Sequence, residues 1–251
     1  MLRNKKIISM LVFTLGFLLI LSGVLTAETE ELSSYQLGLE YFRAGDYEAA
    51  IPELVVAVAE NPDSMSPHYI LGLSYYYLND FDFAKTQLEK AYQLNSQHYG
   101  VMINLSRVYL RLNEVDKAVE MAEQAVEVNR ESSAVYNVLG RAYLNQGSFE
   151  KAVDSYQKSI ELNDQNYYSL NNLGYAYITL GEYGKAIPFL EQGASLEPDI
   201  PYLYNNLGIA YENTEQLLKA QEAYQRALEI DANYENAKVN LDRVRKALAD
   251  D

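Results

Sequence analysis

The chain has no cysteine and no tryptophan among its 251 residues, and only two histidines. Without cysteine there are no disulfides, so even in an oxidising compartment the fold relies on packing alone. A thiol nucleophile is excluded as well. Leu21-Ser22-Gly23 looks like the start of a bacterial lipoprotein signal, but Val24 stands where that signal needs cysteine, which removes this route to lipid attachment. There is no GxSxG and no phosphate-binding glycine loop, and His68 and His98 lie thirty residues apart, a spacing that suits packed or surface histidines. Carboxylates are abundant but sit on outer helix faces, where charge is solvated. The sequence therefore predicts no enzyme, no cofactor and no metal site. Positive charge is scarce too, with 20 basic against 35 acidic residues and a net charge of −15. A nucleic-acid binder needs a net positive stripe, so that class is excluded, and the acidic surface serves solubility.

What the chain does have is a repeat. NNLGYAY at 171–177 returns thirty-four positions later as NNLGIAY at 205–211. Steps of thirty-four from Gly174 land on Gly38, Gly72, Ser106, Gly140 and Gly208. One place before each stands Leu37, Leu71, Leu105, Leu139, Leu173 or Leu207, and three places after stands Tyr41, Tyr75, Tyr109, Tyr143, Tyr177 or Tyr211. Twelve places after comes Ala50, Ala84, Ala118, Ala152, Ala186 or Ala220, and no insertion interrupts the register. A fixed period of this size marks a stacked array.

Each unit reads as helix, turn, helix. Leu173, Tyr177 and Leu180 fall at helical spacing, GEY follows, and Ala186, Ile187, Leu190 and Leu196 resume the spacing. The turns carry Gly45, Asn79, Asn113, Gly147 and Gly181, which accept the left-handed conformation, then Asp46, Asp80 or Ser148 placed to cap the next helix. The sixth turn, with Glu215 and Gln216, departs from this pattern. Gly174 and Ala186 read as the points where two antiparallel helices touch. Such pairs hide only part of their apolar surface, and stacking buries the rest. Pro52 and Pro188 fall early in second helices, where they are expected to bend them slightly.

Leu-Gly-x-x-Tyr, the alanine, a large residue four places on (Leu54, Leu88, Tyr156, Leu190, Tyr224) and a small one three beyond it together resemble the tetratricopeptide repeat family. The departures are the missing tryptophan, Ala122 in place of the large residue, and proline closing only the units that end near Pro62 and Pro198. The resemblance implies an all-α, right-handed superhelical solenoid. Its six units of thirty-four residues would be 31–64, 65–98, 99–132, 133–166, 167–200 and 201–234. Residues 235–251 would form a capping helix, with Val239, Leu241, Val244 and Leu248 inward and Lys238, Asp242, Arg243, Arg245 and Lys246 outward.

Ahead of the array, Arg3, Lys5 and Lys6 precede the uncharged apolar run 7–25. By composition this is an export signal, and two readings stay open: a signal peptide cleaved after Ala27, or a retained anchor in the cytoplasmic membrane. Either places the array in the periplasm or an equivalent extracytoplasmic space.

In the resembled family the first helices line a concave groove that holds an extended segment of a protein partner. Carried over place by place, its groove residues here are Asn104, Arg107, Arg111, Asn137, Arg141, Asn145, Tyr168, Asn171, Asn172, Tyr175, Tyr202, Asn205, Asn206 and Asn213. Asn240 and Arg243 of the capping helix extend the row. A ladder of amides suits a peptide backbone or a glycan, and the three arginines 107, 111 and 141 favour a carboxylate. The lysine-based clamp that some family members close on a partner's C-terminus is not reproduced. The expected function is an exported, non-catalytic scaffold for envelope assembly or tethering; the alternative is a glycan binder stacking sugars on Tyr168, Tyr175 and Tyr202.

Overall fold

The computed structural model describes residues 32–196 and 199–250. The stretch expected to be an export signal, the first residue of the first unit, Pro198 and Asp251 lie outside the described residues. Among the described residues there are thirteen helices and no strand. They are α1 (Ser34–Arg43), α2 (Tyr47–Glu60), α3 (Met65–Tyr77), α4 (Phe81–Leu94), α5 (Tyr99–Arg111), α6 (Val115–Val128) and α7 (Ser133–Gln146), followed by α8 (Phe149–Leu162), α9 (Tyr167–Thr179), α10 (Tyr183–Leu196), α11 (Pro201–Glu212), α12 (Leu217–Ile230) and α13 (Glu235–Asp250). None of them is long and apolar enough to cross a membrane.

Each helix packs on the next in chain order, so α1 to α12 form six hairpins and α13 closes the row. Among the described residues, odd-numbered helices also approach one another at the backbone across successive hairpins, whereas even-numbered ones meet only through long side chains, as where Tyr92 of α4 donates to Gln124 of α6 at 2.6 Å. Helices that meet along one side of a stack lie on the inside of its curve, so the odd-numbered set forms the inner face.

The turns explain why the hairpins form. Gly45, Asn79, Asn113, Gly147 and Gly181 all have positive φ, as their identities require, and Glu215 takes the same conformation at φ 61° in the sixth turn. The next backbone N–H then reaches back to the carbonyl of the repeated tyrosine in every unit, from Asp46 to Tyr41 at 3.0 Å through Gln216 to Tyr211 at 2.9 Å. This satisfies an orphan helix-end carbonyl. Of the expected caps, only Asp46 makes the bond, accepting from the Ala49 N–H at 3.1 Å. Asp80 and Ser148 occupy the N-cap positions without a side-chain capping bond, and the Ser148 hydroxyl is turned to Gln146 Oε1 instead.

Helix contact is closest at the repeated small residue. A Cβ built on Gly72 would lie 2.7 Å from Leu88 Cγ and 3.2 Å from its backbone nitrogen, so only glycine lets α3 and α4 approach this far. Where the third unit has Ser106, the opposing large residue is Ala122. Both are fully buried, and the serine hydroxyl donates to the Ala118 carbonyl at 2.8 Å. The two departures from the pattern thus compensate each other in volume. The alanines twelve places on, from Ala50 to Ala220, are all buried.

Adjacent hairpins are joined by a second pattern that sequence reading missed. The repeated tyrosine donates to a carboxylate on the preceding even-numbered helix: Tyr109 to Glu89 at 2.9 Å, Tyr143 to Glu123 at 2.5 Å, and Tyr211 to Glu191. At Tyr177 the partner is Gln157, whose amide donates to the phenol at 3.0 Å. Lys117, Lys151, Lys185 and Lys219 lie over the same four rings at 5.1–5.8 Å. Burial and the carboxylate together push the Tyr143 phenol up to about 12, which keeps it protonated as a donor.

Helix α13 seats Ala237, Leu241 and Val244 on the last hairpin, with Leu248 packed at the edge. Val239, expected inward, is 58% exposed and Ala237 takes the buried place instead, because the inward face runs through 237, 241, 244 and 248.

Candidate functional site

The inner face opens into a cavity of about 760 Å³ between α5, α7, α9 and α11. Arg107 enters it from α5, Asn137, Arg141 and Asn145 from α7, Tyr168, Asn172 and Tyr175 from α9, and Tyr202 from α11. All eight belong to the row expected from sequence. Tyr76, Leu144, Tyr156 and Asn166 line it too, as do Ala134 and Val138, none of which was expected there. Among the described residues neither Asp nor Glu lines this cavity, although the chain is strongly acidic.

The three expected arginines are held differently. Arg107 donates from Nη1 to Asn104 Oδ1 at 3.1 Å, which fixes it half-buried on α5. Arg111 lies 4.3 Å over the Phe81 ring and outside the cavity. The Arg141 guanidinium is exposed and makes no ion pair among the described residues. Glu114, three residues beyond Arg111 in the chain, is engaged instead by Lys85 at 3.0 Å and Lys117 at 2.5 Å.

The doubled asparagine is accounted for by contacts between repeats. Asn206 Nδ2 donates to Asn171 Oδ1 at 3.0 Å, and Asn240 Nδ2 to Asn205 Oδ1 at 3.0 Å, thirty-five residues apart in each pair. Asn104 makes the same reach to the Tyr69 hydroxyl at 3.0 Å, and Asn137 donates to Ser169 Oγ at 2.7 Å. Asn171 and Asn205 are only 6% and 4% exposed. The expectation that they face the open groove is therefore corrected: they are buried acceptors in an amide ladder joining successive inner helices, where an unpaired carboxamide would be costly. Asn172 keeps its place on the cavity wall and accepts from the Asn171 amide at 3.4 Å. Asn145 and Asn213 donate back to carbonyls one turn earlier on their own helices, at 2.8 Å each.

At the C-terminal end, Arg243 is taken up by the chain itself. Its Nε and Nη2 fork onto the Glu212 carboxylate at 2.6 and 2.7 Å, and the Tyr224 hydroxyl donates to the same carboxylate at 2.8 Å. Burial opposes the Glu212 charge, but these hydrogen bonds outweigh it and hold the carboxyl below its ordinary range.

Tyr156, at the same repeat place as Tyr224, carries the one buried side-chain polar atom without a partner among the described residues. Its residue is fully buried at the cavity wall. Burial raises its phenol well above the usual tyrosine value, with the Arg141 charge acting in the opposite direction. The two histidines have structural partners: the His68 ring lies between Gln87 Oε1 and the Pro62 carbonyl, and His98 Nδ1 accepts the Val101 N–H at the start of α5.

Residues 25–203, more than half of the chain, match the family model described as the Tetratricopeptide repeat protein 21 C-terminal ARM domain, and residues 201–234 match the Tetratricopeptide repeat model. No curated protein matches the sequence. Among solved structures, a chain of the APC/C hetero-tetramer Cut9-Hcn1 superposes with a TM-score of 0.76 at 19% identity over 84% of this chain, which spans 42% of that one. A TPR protein of Thermus thermophilus gives 0.60 at 27% identity, covering 74% of this chain and 100% of its own. YrrB, described as a TPR protein with an unusual peptide-binding site, gives 0.56 at 21% identity, covering 73% and 95%. Nothing in these similarities favours a glycan ligand. The family match, the helix pairs and the shared fold agree, and the chain belongs to the tetratricopeptide repeat family, with the architecture of a protein-interaction scaffold.

Proposed function

We propose that this scaffold is non-catalytic and binds an extended segment of a protein partner along its inner face. The observation that carries the reading is the cavity, where phenols, carboxamides and arginines from four inner helices converge on one open space. An extended peptide presents backbone donors and acceptors along its length, and amides and phenols can meet both. Tyr168 and Tyr175, 55% and 46% exposed, are large anchors that contribute little to the core.

The test uses peptides selected on the whole protein from a randomised display library. Tyr168→Ala and Tyr175→Ala should each weaken a selected peptide by about tenfold or more while leaving the melting temperature nearly unchanged. Selected peptides that bind both variants as well as the parent would overturn the reading.

The same proposal places the array outside the cytoplasmic membrane, in envelope assembly or tethering, on the strength of the basic flank and apolar run at 3–25. Mass spectrometry of the mature protein from its native cell checks this. Cleavage after Ala27, or an intact N-terminus in the membrane fraction, supports export; an intact cytosolic chain contradicts it.

A further inference from the structure

We propose that the cavity contains a carboxylate-binding subsite, formed by the Arg141 guanidinium and the Tyr156 hydroxyl, that receives an acidic side chain of the bound peptide. The inference deepens the groove reading above and rests on it.

The chain holds an internal precedent. Tyr156 and Tyr224 occupy the same repeat place, and both rings lie beneath the glycine of the preceding helix. A Cβ on Gly140 would come 2.7 Å from Tyr156 Cε1, and one on Gly208 would come 2.5 Å from Tyr224 Cε1. At Tyr224 the hydroxyl donates to a carboxylate, that of Glu212, which an arginine grips at the same time. Two units earlier, the places of Glu212 and Arg243 are held by Leu144 and Tyr175, which line the cavity. The hydroxyl there is left unpartnered among the described residues, and Arg141, which lines the same cavity, supplies a positive charge whose field reaches it. The difference between the two places is thus the loss of the anion, with the donor retained.

A buried hydroxyl without an acceptor is costly, and a guanidinium without an anion leaves its planar fork unused. Arg107 adds a second positive charge to the cavity lining, and no carboxylate among the described residues lines the cavity to compete. An incoming carboxylate can accept from the phenol through one oxygen and from Arg141 through the other. The hydroxyl is closed to water in the free groove, so seating the anion includes a rotamer change among the wall side chains, of which Leu144 and Arg141 are the flexible ones.

The experiment takes peptides selected from the display library, made with each Asp or Glu in turn replaced by its amide. Selected peptides should share an acidic residue, and its amide version should bind about tenfold or more weakly. Tyr156→Phe should cause a loss of similar size for the acidic peptide and almost none for the amide version, without lowering the melting temperature. Arg141→Gln should do the same and flatten the salt dependence. Binding that is indifferent to peptide acidity, yet still lost in Tyr168→Ala and Tyr175→Ala, would overturn the subsite and leave the groove reading standing. Binding indifferent to all four substitutions, or no selectable peptide, would overturn both. A Tyr156→Phe variant that melts higher and binds the acidic peptide unchanged would assign the hydroxyl to an unpaired core group, and tighter binding of phosphoserine than of glutamate at the sensitive position would overturn the carboxylate assignment.

Discussion

Glu215 is held at φ 61°, a conformation that L-residues with a Cβ resist by about 1–2 kcal/mol, in a turn whose five counterparts are glycine or asparagine. Replacing it relieves that strain while adding some freedom to the unfolded chain. Glu215→Gly should therefore raise stability by about 1 kcal/mol, read as the midpoint shift in chemical denaturation. At Gly72 the constraint is space, since an added methyl would meet Leu88 at side chain and backbone alike. Gly72→Ala should cost about 1–3 kcal/mol, by overpacking a contact that cannot open without moving α4. Gly72 was legible from the thirty-four-residue step as a small residue at a helix contact, whereas Glu215 read only as a departure from the turn pattern. The amides were less legible. Asn171 and Asn172 are adjacent and chemically identical, and only the helix geometry shows that the first is buried beneath its neighbour's reach and the second is on the cavity wall.

Between elements, polar ladders do what apolar packing does within a hairpin. Inner helices are joined through asparagine, and outer surfaces through tyrosine, carboxylate and lysine. The outer ladder was written in the sequence as Lys117, Lys151, Lys185 and Lys219 at one repeat place and Glu89, Glu123, Gln157 and Glu191 at another. It was overlooked because exposed charges at helical spacing read as a solvated face; only the twenty-residue reach from tyrosine to the previous unit gives them partners. The terminal pair makes a pH prediction. Glu212 is held below the ordinary carboxylate value of 4.5 by Arg243 and Tyr224. A carboxyl with a depressed folded value stabilises fully above its unfolded value, and that contribution is lost as the pH falls through the folded one. Amide exchange in α13 should therefore accelerate as the pH drops below that ordinary value, after correction for intrinsic rates. Arg243→Gln should already show faster exchange near neutrality and a weaker acid dependence.

At the scale of the whole array, stability is a sum over neighbours, and its ends are exposed unless covered. Leu241 and Val244 of α13 share a core cluster with Tyr211 and Tyr224. Removing residues 235–251 should uncover that apolar face, lowering solubility and melting temperature; unchanged values would mean that α13 does not protect the stack. The inner face belongs to the same scale, because no single hairpin contains it: the cavity wall is assembled from helices that are adjacent only after stacking. A backbone chemical-shift map of the array, recorded with and without a library-selected peptide, tests most directly whether this face is the binding surface. The account predicts shifts concentrated on α5, α7, α9 and α11 around Arg141, Asn172 and Tyr175. Shifts confined to the even-numbered helices, with those residues unmoved, would contradict it.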